Sequence, residues 1–407
     1  MPSPNKYVTV TCPCSLRLLE TPCVYNKATD ELYELGDEAF EFLKTCDGTK
    51  TVAELGGDPE FLSFCYKEHI LGTIAAPHRR YFSPARPPLP SLRYLELHLT
   101  GRCNLRCRHC YLGSGPASDL ELSAVFRVFD HFDAMQGLRM LVTGGEPLLH
   151  PGFWYINERI TDYGFRGVLL SNGTLMSKNV ASRLKFHEVQ VSLDGMKASH
   201  DALRGEGSYR KTIRGIENIT AAGIHVSAAT MVTRANMHDF DRLQGLVESL
   251  GITEWSVDVP SPAGRLLHNP GLILPPEEAA PYLSYGFGGG LHEGPAGYGC
   301  GAHLCAVGTS GQVAKCGYYL EAPVGNVSEG LRDCWERVAP VTLDSLDCDC
   351  AHKDECKGGC RFRAASYTGE HGPDPVRCHQ MGVCPINLEG GDTHDYKEGD
   401  KRLLRSM

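Results

Sequence analysis

The chain has 407 residues, of which 42% are hydrophobic, so it is long enough for roughly two or three domains with cores of their own. Its formal net charge of -9 excludes the basic body of a nucleic-acid-binding protein, and it contains no apolar stretch long enough to span a membrane. Its N-terminus lacks a signal-like profile, so its 18 cysteines indicate metal sites in a reducing compartment, and we expect a cytoplasmic, oxygen-sensitive protein.

Residues 1–84 are predicted to form a small first domain, because the prolines that follow stop both helices and central strands. Short strands are expected at Tyr7–Val10, Cys23–Tyr25 and Leu32–Leu35. Three short helices are expected after them: one capped by Asp37, one beginning near Thr51, and one that follows Asp58-Pro59 and stops at Gly72. This order of elements is typical of a winged helix-turn-helix.

Residues 91–285 alternate between apolar runs and helical segments. The runs, each predicted to be a strand, are Tyr94–Leu99, Met140–Thr143, Val168–Ser171, Val189–Leu193, Val226–Val232 and Trp255–Val259. Helices between them include Ser123–Met135 and Tyr209–Ala222. Strands that alternate with helices indicate an α/β fold with a parallel sheet, whose functional sites form at the carboxyl ends of the strands.

The loop after the first apolar run contains three cysteines, Cys103, Cys107 and Cys110, in the string CNLRCRHCY. Three closely spaced thiolates can hold three irons of a cubane iron–sulfur cluster and leave the fourth iron without a protein ligand. A zinc knuckle, or buried cysteines placed by chance, would explain the same spacing. Later runs end in GGEP (Gly144, Gly145, Glu146 and Pro147), in SNG with Asn172, and in SLDG with Ser192 and Asp194.

These four motifs, in this order, resemble those of the radical S-adenosylmethionine (SAM) enzymes. The resemblance implies a partial (β/α)6 barrel, a 4Fe–4S cluster on the three cysteines, and bound SAM. It implies a SAM-binding set of His109, Gly144, Gly145, Glu146, Pro147, Asn172, Ser192, Asp194 and Arg204. In that set Glu146 would accept from the SAM ammonium group, Ser192 and Asp194 would meet the ribose hydroxyls or the SAM carboxylate, and Arg204 would pair with that carboxylate. Alternatively, His109 is a packing residue, Arg204 a surface charge and Asn172 a turn residue.

Residues 286–386 open with glycine-rich sequence and continue with a series of spaced cysteines, a pattern that resembles the SPASM domain with its two auxiliary four-iron clusters. The resemblance implies auxiliary cluster I on Cys300, Cys305, Cys316 and Cys360, and auxiliary cluster II on Cys348, Cys350, Cys356 and Cys378. One residue separates Cys348 from Cys350, where the family usually has two, and a zinc ribbon is the alternative. With four ligands, cluster I is expected to be closed and to carry electrons. We assign no role to the tail 387–407 or to the cysteines Cys12, Cys14, Cys334 and Cys384.

The string YELGDEAFEFLKTCDGTKTVAEL in the first domain closely resembles PqqD-like domains, the recognition elements that bind leader peptides of ribosomally made precursors (RiPPs). Together the resemblances imply a radical SAM enzyme of the SPASM group that modifies a precursor peptide, with three 4Fe–4S clusters and SAM as cofactors. The leader would add as an extra strand at a sheet edge. Its other partner would be an external reductant such as flavodoxin or ferredoxin, and neither nucleic acid nor membrane is expected as a partner.

Other activities share parts of this pattern. Sulfatase maturases carry an aspartate after the third auxiliary-I cysteine, where this chain has Gly317, and enzymes that make haem-like or quinone cofactors share the SPASM pattern. The non-enzymatic alternative is an iron–sulfur electron carrier. Production of 5′-deoxyadenosine would exclude this alternative. The bond made stays open among thioether, carbon–carbon crosslink, epimerisation and decarboxylation chemistry, and no general base is assigned.

Overall fold

The computed structural model describes residues 3–82, 84–113, 117–292 and 294–383. The tail 387–407 and Cys384, both named in the sequence analysis, lie outside these ranges. Within them, every helix is too short or too polar to cross a membrane.

The N-terminal segment folds into two small antiparallel sheets with three short helices. In chain order its elements are β1 (Tyr7–Val10), β2 (Cys14–Leu18), β3 (Pro22–Asn26), β4 (Glu31–Glu34), α1 (Asp37–Thr45), β5 (Asp47–Thr51), α2 (Val52–Leu55), α3 (Pro59–Lys67) and β6 (Leu71–Ile74). One sheet has the strand order β5-β1-β6 and the other the order β2-β3-β4. Strand β4 is therefore an outer strand, and its Glu31 and Glu34 are exposed.

The helix ends of this segment agree with prediction at one position and depart from it at two. Asp58 caps α3 and accepts a hydrogen bond from the Glu60 N–H at 3.0 Å. Helix α1 begins after Gly36, so Asp37 is its first residue and not its cap, although a carboxylate there still favours the helix dipole. Helix α3 ends at Lys67, because the residues from Leu71 onward pair with β1 as a strand.

Six strands and the helices between them form the middle of the chain. In order they are β7 (Tyr94–His98), α4 (Leu122–Ala134), β8 (Arg139–Thr143), α5 (Phe153–Arg159), β9 (Arg166–Ser171), α6 (Lys178–Arg183), β10 (Glu188–Ser192), α7 (Lys197–Arg204), α8 (Ser208–Ala221), β11 (His225–Met231), α9 (Phe240–Ser249) and β12 (Glu254–Asp258). All six strands pair in parallel. The six predicted strands are confirmed, each starting within two residues of its predicted first residue.

The C-terminal segment extends the same sheet. Its elements are α10 (Pro276–Ala279), β13 (Leu304–Val307), β14 (Gln312–Ala314), β15 (Gly325–Asn326), α11 (Leu331–Arg337), α12 (Lys353–Cys356), α13 (Arg361–Ala365) and α14 (Pro375–Gln380). Strand β13 runs parallel to β7, which gives a mixed nine-stranded sheet of order β12-β11-β10-β9-β8-β7-β13-β14-β15. The predicted α/β partial barrel is confirmed in this sheet.

The sheet buries one face against the helices and turns the other toward the barrel interior. On β7, Leu95 and Leu97 pack in the main core with Phe129 of α4. Because side chains alternate across a strand, Glu96 and His98 face the interior. The loops after β7 to β12 border this interior at the carboxyl ends of the strands.

Two buried arginines at the opposite, amino-terminal end of the barrel strands bind the N-terminal segment. Arg139 forms an ion pair with Asp30. Arg166 donates to the carbonyl oxygens of Lys27 and Ala28 at 3.0 and 2.9 Å. The N-terminal segment thus supplies hydrogen-bonding partners for charged groups that have almost no access to water.

Candidate active site

The loop that leaves the carboxyl end of β7 carries three cysteines at different depths, with Cys103 exposed, Cys110 intermediate and Cys107 buried. Burial raises the pKa of the Cys107 thiol, Arg204 opposes this rise, and the thiols of Cys110 and Cys103 add to it. The Leu105 N–H donates to Cys103 Sγ at 3.4 Å, and Arg204 Nη1 donates to Cys107 Sγ at 3.8 Å. Three grouped sulfurs with N–H donors fit the donor set of a 4Fe–4S cluster with one iron free of protein ligands.

Gly144 and Gly145 bring the loop after β8 against the backbone that precedes Cys103. The Glu146 N–H donates to the Arg102 carbonyl oxygen at 2.8 Å. A Cβ atom at position 145 would lie 2.2 Å from that oxygen, and Gly144 has a φ of 134°. Only glycine permits this close approach, so the two glycines position the cysteine loop.

We expect Gly145→Ala to remove about one cluster, or about four irons, from the reconstituted protein and to abolish formation of 5′-deoxyadenosine. The added methyl group displaces Arg102, the neighbour of Cys103. Gly245→Ala is the matched control, because position 245 lies in α9 with no atom within 4 Å of the new Cβ. Iron analysis and chromatography of the SAM products check the prediction. Equal iron contents in the two variants would contradict it.

Glu146 is completely buried, and its carboxylate accepts hydrogen bonds from other groups of the protein. It accepts from Ser171 Oγ at 2.9 Å and from the Asn172 N–H at 3.0 Å. Burial raises the pKa of Glu146 to about 7, and these two hydrogen bonds oppose the rise. The contact of Glu146 with a SAM ammonium group stays a prediction, and in this structure the carboxylate fixes the loop after β9. Pro147, also buried, begins a one-turn 3-10 helix.

Asn172 connects the loop after β9 with the cysteine loop. Its Nδ2 donates to Asn104 Oδ1 at 3.0 Å and lies 4.0 Å from Cys103 Sγ. Its Oδ1 accepts from the Thr174 N–H at 2.9 Å. Asn172 therefore lies at the predicted site, whereas Asn104 was not anticipated, because a polar residue between two cysteines has no pattern of its own.

Asp194, Arg204 and His109 form one buried network behind the cysteine loop. Arg204 Nε donates to Asp194 Oδ2 at 2.5 Å, and His109 Nε2 lies 3.0 Å from the same oxygen. The Met231 N–H donates to Asp194 Oδ1 at 2.9 Å. Burial alone would raise the pKa of Asp194, but Arg204 and His109 hold it well below its usual range.

Both oxygens of Asp194 are thus engaged within the protein, and its side chain is fully buried. The contact of Asp194 with the ribose or carboxylate of SAM stays a prediction, and in this structure the carboxylate holds Arg204 and His109 in position. Arg204 joins Asp194 to the Cys107 sulfur, and His109 directs its ring to Asp194, in line with the alternative of a packing role for His109. Ser192, the last residue of β10, lies half-buried at the same edge of the sheet.

Cys300, Cys316 and Cys360 come together beside the barrel interior. Burial raises the pKa of Cys300 to about 11, Lys315 lowers it, and the Cys360 thiol raises it further. Burial also raises the pKa of Cys316, and the charges of Glu96, Cys300 and Cys360 add to this rise. The charge on each of these thiols therefore affects the pKa of another member of the set.

Cys305 does not join that group. It lies in β13 opposite Leu95 of β7 and is fully buried in the main core, together with Val307 and Cys334. Residues paired in neighbouring strands lie on the same face of a sheet, so Cys305 faces the helix layer as Leu95 does. The four-cysteine set predicted for auxiliary cluster I stays a prediction, and in this structure strand alternation turns the thiol of Cys305 toward the helix layer.

Cys348, Cys350, Cys356 and Cys378 form a second group. Burial raises the pKa of Cys378 to about 11, and the thiols of the other three add to the rise. The His352 N–H donates to Cys350 Sγ at 3.3 Å. Each of the three thiols thus acts on the pKa of Cys378, and the four-cysteine set of auxiliary cluster II stays a prediction.

Glu96 and His98 of β7 lie between the cysteine loop and the first auxiliary group. The Gly317 N–H donates to Glu96 Oε2 at 2.9 Å, and a Cβ at position 317 would lie 3.0 Å from the Tyr111 hydroxyl. His98 Nε2 is buried 3.9 Å from Glu96 Oε2, without a hydrogen-bond partner among the described residues. The sequence analysis missed this pair, although polar residues at alternate positions of an apolar run indicate side chains on the interior face.

A family model described as the radical SAM superfamily matches residues 97–247. The mycofactocin maturase MftC of Mycobacterium ulcerans is 30% identical over 324 residues, which cover 69% of this chain and 86% of that protein. The AdoMet-dependent heme synthase of Oleidesulfovibrio alaskensis is 27% identical over 344 residues, which cover 71% of this chain and 87% of that protein. The structure of Streptococcus suis SuiB bound to precursor peptide SuiA superposes with a TM-score of 0.66 at 15% identity, covering 91% of this chain and 99% of that chain. This last likeness is one of fold alone.

Proposed function

Because the chain belongs to the radical SAM superfamily, we propose that it modifies a ribosomally made precursor peptide after reductive cleavage of SAM. When bound at Cys103, Cys107 and Cys110, the cluster supplies the electron that cleaves SAM, and the 5′-deoxyadenosyl radical so formed abstracts hydrogen from the substrate. An external reductant of the flavodoxin or ferredoxin class delivers that electron, and the enzyme works in the cytoplasm.

The residues around the cysteine loop hold it in place and set its surroundings. Arg204, anchored by the buried Asp194, directs a cationic N–H group at Cys107. The amide of Asn172 lies beside Cys103. Hydrogen bonds and positive charge at the sulfurs favour thiolates and tune the reduction potential of a cluster that they bind.

The three segments receive three proposed roles. Residues 1–84 form a PqqD-like recognition element, residues 91–285 the barrel that holds SAM, and residues 286–386 a SPASM domain. Two groups of cysteines in the last segment, one of three and one of four, are the proposed ligands of two auxiliary clusters. The complete enzyme would then contain three 4Fe–4S clusters.

The outer strand β4 is the observation that carries the peptide proposal. Among the described residues it pairs only with β3, so its other edge offers free backbone groups. Beside it, α3 presents Phe64, which is 40% exposed and whose ring centre lies 5.7 Å from that of Tyr33 in β4. A leader peptide can add there as a further strand and pack on this aromatic pair. SuiB, which shares the fold, is bound to its precursor peptide in the solved structure.

We expect Phe64→Asp to weaken leader binding at least tenfold, because a charge replaces the apolar surface beside β4. If a short open reading frame lies next to the gene, the peptide that it encodes is the probe, and fluorescence anisotropy of the labelled peptide measures its Kd. SAM cleavage without peptide should be unchanged, since the cysteine loop begins at the carboxyl end of β7.

Tyr155→Asp is the matched control, because Tyr155 of α5 is 69% exposed and lies outside the N-terminal segment. It should leave the peptide Kd unchanged. A Phe64→Asp variant that binds the peptide as tightly as Tyr155→Asp would remove β4 as the leader site.

The similarity to the heme synthase favours a second candidate, the synthesis of a haem-like cofactor. The two candidates differ in the molecule that is modified after SAM cleavage, which is a peptide in the first and a tetrapyrrole in the second. Mass spectrometry of the peptide after turnover decides between them: a modified peptide supports the first proposal. An unmodified peptide, together with a product formed from a tetrapyrrole, supports the second.

A further inference from the structure

Three arginines lie on or against the cysteine loop without a counter-charge. Arg106 and Arg108 belong to the loop and are exposed, and Arg265 contacts the loop from the short 3-10 helix Gly264–His268. None of the three forms an ion pair with an acidic side chain of the described residues. The loop therefore presents uncompensated positive charge, although the net charge of the chain is -9.

Hydrogen bonds hold two of these arginines in place. The Arg265 N–H donates to the Cys110 carbonyl oxygen at 2.9 Å, and Arg265 Nε donates to the Cys107 carbonyl oxygen, also at 2.9 Å. Arg108 Nε donates to Asn269 Oδ1 at 3.0 Å. All of these partners are neutral, so the bonds fix the positions of the charges without cancelling them.

An exposed leucine adds an apolar centre to this charged surface. Leu266 is completely buried in a small cluster with Leu203 and Leu272, and its neighbour Leu267 is 53% exposed. The next residue, His268, is exposed as well. We define the basic face as the surface formed by Arg106, Arg108, Arg265, Leu267 and His268.

We propose that the basic face is the docking surface for an acidic protein that carries single electrons. The inference rests on the proposed function, which requires such a reductant. The negative charge of the whole chain repels an acidic protein, whereas the basic face attracts it, so the partner is steered to the cysteine loop. Complexes of electron carriers are small and transient, and an apolar centre with a charged rim suits a contact of this kind.

Docking is tested with the full-length reconstituted protein and a purified acidic flavodoxin. Fluorescence anisotropy of labelled, oxidised flavodoxin gives its Kd, and chromatography gives the rate of 5′-deoxyadenosine formation with reduced flavodoxin. Parallel reactions use dithionite, a small reductant that needs no docking surface. We expect Leu267→Glu to raise the flavodoxin Kd about tenfold and to slow the flavodoxin-driven reaction, while the dithionite-driven rate stays unchanged.

Arg106→Glu should have the same effects at low salt. Its difference from the wild type should shrink at high salt, because salt screens the attraction between exposed charges. The matched controls are Leu291→Glu, at a leucine that is 48% exposed, and Arg127→Glu, at an exposed arginine of α4. Both controls lie outside the basic face and should behave as the wild type does. Iron analysis of every variant separates loss of docking from loss of a cluster.

Equal flavodoxin affinities in Leu267→Glu and Leu291→Glu would overturn the proposal. An equally large loss of rate with dithionite would also overturn it, because the face would then support the cysteine loop and not a partner. Wild-type protein that forms no 5′-deoxyadenosine with dithionite would contradict the proposed function, whereas the flavodoxin Kd still tests the face.

Discussion

Replacement of Cys103, Cys107 and Cys110 together by alanine should abolish production of 5′-deoxyadenosine and remove about one third of about twelve irons per chain. The three sulfurs form one group on a single loop, and the other two cysteine groups lie in residues 300–378. Because the groups are separate, the remaining iron should stay bound. Chromatography of the SAM products and colorimetric iron analysis measure both effects.

Cys12→Ala is the control for this experiment, since Cys12 is exposed and lies outside all three groups. It should change neither quantity. Wild-type protein that holds only about four irons after full reconstitution would contradict the assignment of two auxiliary clusters.

Replacement of Asp194 by asparagine should lower the free energy of unfolding by about 3–5 kcal/mol, because it leaves the buried Arg204 guanidinium without its anionic partner. The side chain of Asp194 is 0% exposed and that of Arg204 is 11% exposed, so water cannot replace the lost charge. Since Arg204 also donates to Cys107, loading of the first cluster should fall as well. Urea unfolding of the protein before reconstitution, followed by circular dichroism, measures the stability.

The matched comparison is Asp162→Asn, which breaks the pair between Arg159 and Asp162 at 2.9 Å. Both of these side chains are at least half exposed, so the expected loss is below about 1 kcal/mol. Equal losses in the two variants would show that the Asp194 pair contributes no more than a surface contact.

The barrel was predictable from the sequence because most of its strand residues are buried and stand out as apolar runs between helices. The motif residues stand out in the sequence because each follows such a run. Strands β2, β5 and β6 of the first domain were not predicted, and β5 was missed for the opposite reason. Asp47–Thr51 is polar and contains glycine, and it forms a strand only because β1 offers it a partner.

The direction in which a side chain points was not predictable from motif spacing. Glu146 and Asp194 occupy the expected positions, yet both carboxylates turn inward to partners that come from other loops. Cys305 satisfies the linear spacing of a ligand, but whether it reaches the cluster depends on its register against β7. Such features arise from tertiary pairing, of which a single sequence carries no direct record.

The contacts of Arg139 and Arg166 with the N-terminal segment bear on how peptide selectivity could be re-engineered. Exchanging the whole segment for that of another protein would strip both arginines of Asp30 and of the carbonyl groups of Lys27 and Ala28. Such chimaeras should misfold or express poorly for a reason unrelated to peptide recognition. Changes confined to β4 and the exposed face of α3 leave this junction intact. They are therefore the better starting point for altering the proposed peptide recognition.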